Sequence, residues 1–263
     1  MIAIAVHALL PSPGAEVDVS SFDSFLATNL GFPVVASFYF ILLYLHVLIV
    51  VSIYGKYSEM EKRKIGLRFG FAYGIIYLVA MQEVVLSGSP FEQYGIDFIL
   101  YQFFMGLGDA IPVVLVYILV AHFFLEKKAN SVKRKIVELS RSQIVLRVAV
   151  IAGLIVIERI LGYYVGYIDS DIQSYPVPVI CWTILIGVTF GFVYILLRPI
   201  YVRQDGRVAL FQLVVCSLGI NWIWFNSFMG LIMKGLMGQM ILRSGIDIFL
   251  IYIGMRVCET YHK

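Results

Sequence analysis

Charge is what this sequence has least of. Asp, Glu, Lys and Arg make up 14% of its 263 residues, where a soluble globular domain carries about a quarter. Cysteine is nearly as scarce. Cys181, Cys216 and Cys258 are scattered without metal-ligand spacing, which excludes a disulfide framework and a zinc site. Of the four histidines, His46 and His122 fall in apolar segments. A haem pair would need matched depths, and a 1.5 Å rise puts these two about 10 Å apart, so they read as packed side chains. Phosphate-binding glycine loops, His-Glu-x-x-His and Gly-x-Ser-x-Gly are all missing. No metal and no cofactor are therefore expected. The net charge of +3 belongs to the links between apolar runs and leaves no nucleic-acid footprint.

What is present is hydrocarbon. Hydrophobic residues make up 60% of the chain and the mean hydropathy is +0.89, which implies an all-α integral membrane protein. Seven stretches reach the roughly 20 residues that a bilayer crossing needs: 33–54, 66–87, 94–124, 143–165, 177–200, 208–229 and 239–258. The links 55–65, 125–142 and 201–207 hold most of the Lys and Arg, whereas the alternate links carry Glu92, Asp169 and Asp171. The positive-inside rule then places the amino terminus outside and the carboxyl terminus inside. The expected domains are an extracytoplasmic tail over 1–32, a seven-helix membrane domain over 33–258 and a cytoplasmic tail over 259–263. Met1 to Leu10 is about half a span long and lacks a basic n-region, so it reads as an interfacial tail, with a cleaved signal peptide as the alternative. The plasma membrane is the expected location.

An offset of 150 residues lays Gly95-Ile96-Asp97 over Gly245-Ile246-Asp247, Leu100 over Leu250 and Met105 over Met255. It also superposes the first three spans on the last three, suggesting a 3+1+3 parallel repeat of the kind some transporters build around a central substrate site.

Ionisable side chains inside the apolar stretches are the natural functional candidates, because a charge in hydrocarbon costs several kcal/mol unless it faces a protein interior or water. They are Glu83, Asp97, Asp109, Arg147, Glu158, Arg159, Arg243 and Asp247. Arg243 and Asp247 stand four apart and are expected to pair on one helix face. Asp97, Glu83, Glu158 and Asp247 fall in the outer half, and Asp109 lies about 18 Å down-helix from Asp97. Such a ladder suits a cation or proton path opening outward, with arginine-neutralised helix packing as the structural alternative. Asn221 shares a face with Trp224, and Asn226 with Trp222, which would bring amides and aromatics into the bundle.

Gly106-Leu107-Gly108-Asp109, followed by Ala110-Ile111-Pro112, brackets its acid with helix breakers, and Pro112 frees a carbonyl one turn back. This segment resembles the GxGD signature of intramembrane aspartyl proteases of the presenilin and signal-peptide-peptidase type, and the resemblance covers about seven residues. It implies a second aspartate from a Tyr-Asp motif on the preceding helix and a downstream Pro-Ala-Leu. The chain has neither motif. Lys234 falls in the turn between the sixth and seventh stretches, away from the deep last-helix position that a retinal Schiff base would need.

The expected function is that of a permease moving a small solute or cation past intramembrane carboxylates, with the substrate/ion path formed by Asp109, Asp97, Glu83, Glu158, Arg159, Arg243, Asp247, Asn221 and Asn226. A membrane sensor, receptor or interaction scaffold is the alternative, and a GxGD-like protease a minor one. Enzymatic activity is not expected. The expected partners are the lipid bilayer and the transported solute or cation. Link 125–142 is where a cytoplasmic protein would engage, and a homo-oligomer is the other protein partner considered.

Overall fold

A computed structural model describes residues 22–58, 60–83, 95–126, 139–170, 172–201 and 206–261, with the side chains of 57, 95–102, 206, 260 and 261 outside the description. All regular structure among the described residues is helical. The helices are α1 (Phe25–Leu30), α2 (Phe32–Tyr54), α3 (Lys62–Ala80), α4 (Gly95–Phe123), α5 (Arg141–Val165), α6 (Pro176–Tyr201), α7 (Gly206–Phe211), α8 (Ile220–Ile232) and α9 (Met237–Tyr261). Between α7 and α8 the helix continues without interruption through a π-helical stretch, Gln212–Gly219, where Ile220 N–H reaches the carbonyl of Val215, five residues back. The long helical segments coincide closely with the apolar stretches of the sequence. Four pass on both length and composition as able to cross a membrane: Phe32–Tyr54, Phe103–Phe123, Pro176–Tyr201 and Arg207–Ile232. The other three long helices, α3, α5 and α9, each carry four charged side chains.

Local chemistry sets several of the ends. Ser140 caps α5 through a reciprocal pair with Gln143, the arrangement that satisfies two otherwise orphaned donors at a helix start. Gly166 closes α5 at φ +83°, a left-handed conformation open to glycine at little cost. Ser24 starts α1 by accepting from Ala27 N–H, and its own hydroxyl donates to the carbonyl of Leu231, so this part of the amino-terminal region is tied to the end of α8.

The long helices close a ring in the order α2, α4, α3, α6, α5, α9, α8 and back to α2, and the π-helical stretch reaches α6 across the middle. Two interfaces are the most intimate, and both are built on glycine. A Cβ on Gly66 or Gly70 of α3 would lie 2.9–3.1 Å from backbone atoms of α4, at Ile118 and Val114, and one on Gly74 would meet the Val114 side chain at 2.9 Å. On α6, Gly187 and Gly191 stand in the same relation to Ala152 and Val148 of α5, at 3.0 and 2.8 Å. Small residues at four-residue spacing let helices approach this closely where lipid offers no hydrophobic drive. At the 150-residue offset, Gly66, Gly70 and Gly74 fall on Cys216, Ile220 and Trp224. The glycine spacing of that interface is therefore not repeated in the second half.

The core is aromatic as well as aliphatic. Phe69, Tyr73 and Tyr117 stack with ring planes within about 17° of parallel, and Tyr77 stacks on Phe225, which stacks on Trp222. Their hydroxyls meet the α7–α8 segment. Tyr73 shares a 2.6 Å hydrogen bond with Ser217, and Tyr77 donates to Asn221 Oδ1 at 3.0 Å.

Candidate functional site

At the end of the ring away from the basic links, five charged side chains from two helices and one helix end converge. Arg159 of α5 is the hub. It is fully buried, and its fork divides between two acids. Nε and Nη2 donate to Asp247 Oδ1 and Oδ2 of α9 at 3.3 and 2.7 Å, while Nη1 donates to Glu83 Oε1, just beyond α3, at 2.6 Å. Arg243 of α9 grips the same Glu83 with both terminal nitrogens, each at 3.0 Å, and donates a further bond to Asn226 Oδ1 at 2.8 Å. Forked, charge-assisted bonds of this kind are the strong class. The indole of Trp222 donates to Asp247 Oδ2 at 2.8 Å, and the Trp182 ring lies 5.7 Å beneath the Arg159 guanidinium.

Glu158 completes the cluster on different terms. Its Oε2 lies 3.6 Å from Arg159 Nε, an ion pair beyond hydrogen-bond reach, and that buried oxygen has no hydrogen-bond partner. Its Oε1 accepts from the Tyr167 hydroxyl at 2.5 Å. Tyr167 reaches back over the end of α5 because Gly166 turns the chain and Gly162 leaves room. A Cβ on Gly162 would lie 2.8 Å from the Tyr167 ring. Burial, followed by the hydrogen bond to Glu158 and its charge, pushes the Tyr167 hydroxyl above its ordinary pKa, so it stays a donor. Counted as ionised, the cluster sets three carboxylates against two guanidiniums.

The structure thus brings together six of the expected residues: Glu83, Glu158, Arg159, Asn226, Arg243 and Asp247. Arg243 and Asp247, expected to pair with each other, instead each take partners from other elements. Asn221 stands beside the group and accepts from Tyr77, leaving its buried Nδ2 without a partner. Asp109 is apart from the cluster. It borders a void of about 10 Å³ with Tyr39, Tyr77, Phe225 and neighbouring apolar side chains, room for about one water. Among the described residues no second carboxylate lines that void, so the GxGD resemblance finds no dyad there. Asp97 lies in α4 with its side chain outside the described residues, as do Glu92, Asp171 and most of link 125–142. The expected outward-opening ladder is, for the cluster, a closed knot: Arg159 and Asp247 are 0% exposed, and Glu158, Glu83 and Arg243 no more than 7%.

A second cluster at the basic end was not expected. Glu259, assigned by sequence to a tail, belongs to α9 and accepts from Arg147 Nε at 3.2 Å, Arg198 Nε at 3.2 Å and the Tyr194 hydroxyl at 3.1 Å. The signal for it was the i, i+3 spacing of Arg256 and Glu259, which continues the helix beyond its apolar run. Of the two histidines expected to be packed, only His46 is held by the bundle. His46 bonds the carbonyl of Cys216 in the π-helical stretch at 3.1 Å, His122 is exposed and the three cysteines are free thiols. No group of metal-ligating side chains occurs among the described residues.

The chain matches no protein-family model, no curated protein and no solved structure.

Proposed function

We propose that this is a multi-pass membrane carrier, with seven helices crossing the bilayer, that moves a small solute or cation and exchanges a proton at the Glu83–Glu158–Arg159–Arg243–Asp247 cluster. The observation that carries this reading is the three-to-two count of buried acids and guanidiniums. A buried group without charge compensation is costly, and one proton on Glu158, whose Oε2 lacks a hydrogen bond, balances the cluster. The seven-span count rests on the same feature. The charges that set α5 and α9 apart from the four apolar helices are largely those that neutralise one another inside the ring, and the Lys and Arg of α3 gather in its first two turns. The basic links place the amino terminus outside, and the plasma membrane is the membrane we favour. Asp109, with its one-water void between Tyr39 and Tyr77, is the second acid on the proposed path.

The test is flux into sealed proteoliposomes across a pH step. A carrier gives proton-linked uptake or efflux that Asp109→Asn abolishes while the protein still assembles. A membrane sensor or scaffold is the second reading, and the dryness of the cluster favours it. That reading requires no flux under any gradient and a stable protein partner recovered through link 125–142.

A further inference from the structure

A second concavity is unrelated to the charged cluster. It is a groove of about 560 Å³ on the outer surface of the ring, lined only by apolar residues and glycine. Its floor is α3, at Phe71, Gly74, Ile75 and Leu78, and its walls are α4 and α6. Both walls pack extensively on α3, and no comparable contact joins them to each other. The floor is low because the glycines of α3 draw α4 down against it, so the gap cannot close by a small shift of α4. Phe71 and Leu115 on its rim are 57% and 42% exposed.

The stripe that forms the floor does not stop at the groove. Lys64, Arg68, Phe71, Ile75 and Leu78 follow at spacings of four, three, four and three, which keeps them on one helix face. Two cations therefore stand in line with the groove at its end nearest the basic links. Arg68 is half-buried there, held by one hydrogen bond from Nη1 to the carbonyl of Leu196, itself a groove residue, at 2.7 Å. A guanidinium has five N–H donors, so this tether orients Arg68 and leaves donors for an anion. From Arg68 to Leu78 is ten residues, about 15 Å of helix, which matches one leaflet of a roughly 30 Å hydrocarbon core.

We propose that the α3–α4–α6 groove binds one anionic phospholipid, its acyl chain lying along Phe71, Ile75 and Leu78 and its phosphate on Arg68 and Lys64. The order of chemistry along the stripe, two cations followed by an open apolar trough one leaflet deep, is that of such a lipid read from headgroup to tail. A detergent-like or zwitterionic occupant would account for the trough but not for the cations aligned with it.

The experiment is native mass spectrometry of the full chain released from nanodiscs of equal phosphatidylglycerol and phosphatidylcholine. Wild type is expected to retain one lipid, phosphatidylglycerol over phosphatidylcholine by about thirtyfold, the factor for two basic side chains near anionic lipid at about fivefold each. Arg68→Gln should bring that ratio down to about fivefold, the share left to Lys64. Leu115→Trp, which fills the trough and leaves Arg68 in place, should lose the retained lipid of both kinds. Glycerol phosphate and inorganic phosphate should not displace it; displacement would mean a free-anion site and overturn the proposal. Equal retention of the two lipids by wild type overturns it as well, whatever the variants do. If the variants fail to assemble, wild type answers alone: the preference must persist with long-chain phosphatidylglycerol and vanish with the dihexanoyl form, and a preference indifferent to chain length overturns the trough assignment.

Discussion

Arg159 and Asp247 face each other through two parallel hydrogen bonds, at 3.3 and 2.7 Å, with both side chains wholly removed from solvent. A pair this deep is expensive to make, and more expensive to break from one side than to replace. Arg159→Met leaves Asp247 and Glu83 buried with one guanidinium between them and is expected to cost about 3–5 kcal/mol. Thermal unfolding in detergent checks this. Arg159→Lys should recover little of the loss, because an ammonium cannot fork between two carboxylates; recovery above half would show that a point charge suffices.

Glu158 and Asp247 should behave differently when neutralised. Glu158→Gln keeps an acceptor for Tyr167 and brings the ionised count to two against two, so the fold should hold while uptake stops responding to the pH step and solute exchange at equal pH survives. Asp247→Asn removes the acid that Arg159 grips in parallel and should lower the unfolding temperature more. Equal effects on stability would remove the distinction between the spare acid and the structural one.

The glycine seams give a sharper contrast. Gly191→Ala sets a Cβ 2.8 Å from the backbone of Val148, whereas a Cβ on Gly153 meets nothing within 4 Å. The first change should destabilise by about 1–3 kcal/mol as overpacking, and the second should be neutral or slightly stabilising, since alanine suits a helix interior better than glycine. The two alanine variants need only be compared in one unfolding assay.

At the basic end, Glu259→Gln withdraws the negative charge that Arg147 and Arg198 share. The expected loss is about 2 kcal/mol, the worth of hydrogen bonds to a charged group, reduced because Glu259 is one-third exposed. High salt should shrink the difference between wild type and variant, and an effect indifferent to salt would point to packing instead.

The positions of the long helices were readable from the sequence because each is a local property, an apolar run of bilayer length bounded by charged links. Most of the cluster's members were readable for the same reason, as ionisable groups out of place in oil. Their partners were not. The i, i+4 spacing pointed to an Arg243–Asp247 pair, but both side chains find better-placed opposite charges across the ring, at Glu83 and Arg159. Partner choice depends on ring order, and ring order draws on the close approaches at Gly66, Gly70, Gly74, Gly187 and Gly191, which glycine spacing alone does not assign to a partner helix. Tyr167 escaped notice because its approach to Glu158 requires the left-handed turn at Gly166. Glu259 lies past the end of the apolar run, where composition marks no helix although α9 continues to Tyr261.

The widened winding at Gln212–Gly219 fixes the rotational phase of everything that follows it in that segment. One residue more or less turns a helix by about 100°, so deleting a single position within the stretch would swing Asn221, Trp222 and Asn226 from the centre of the ring toward lipid while leaving Arg207 where it is. That short loosened coil is thus the register on which the indole clasp of Asp247 depends.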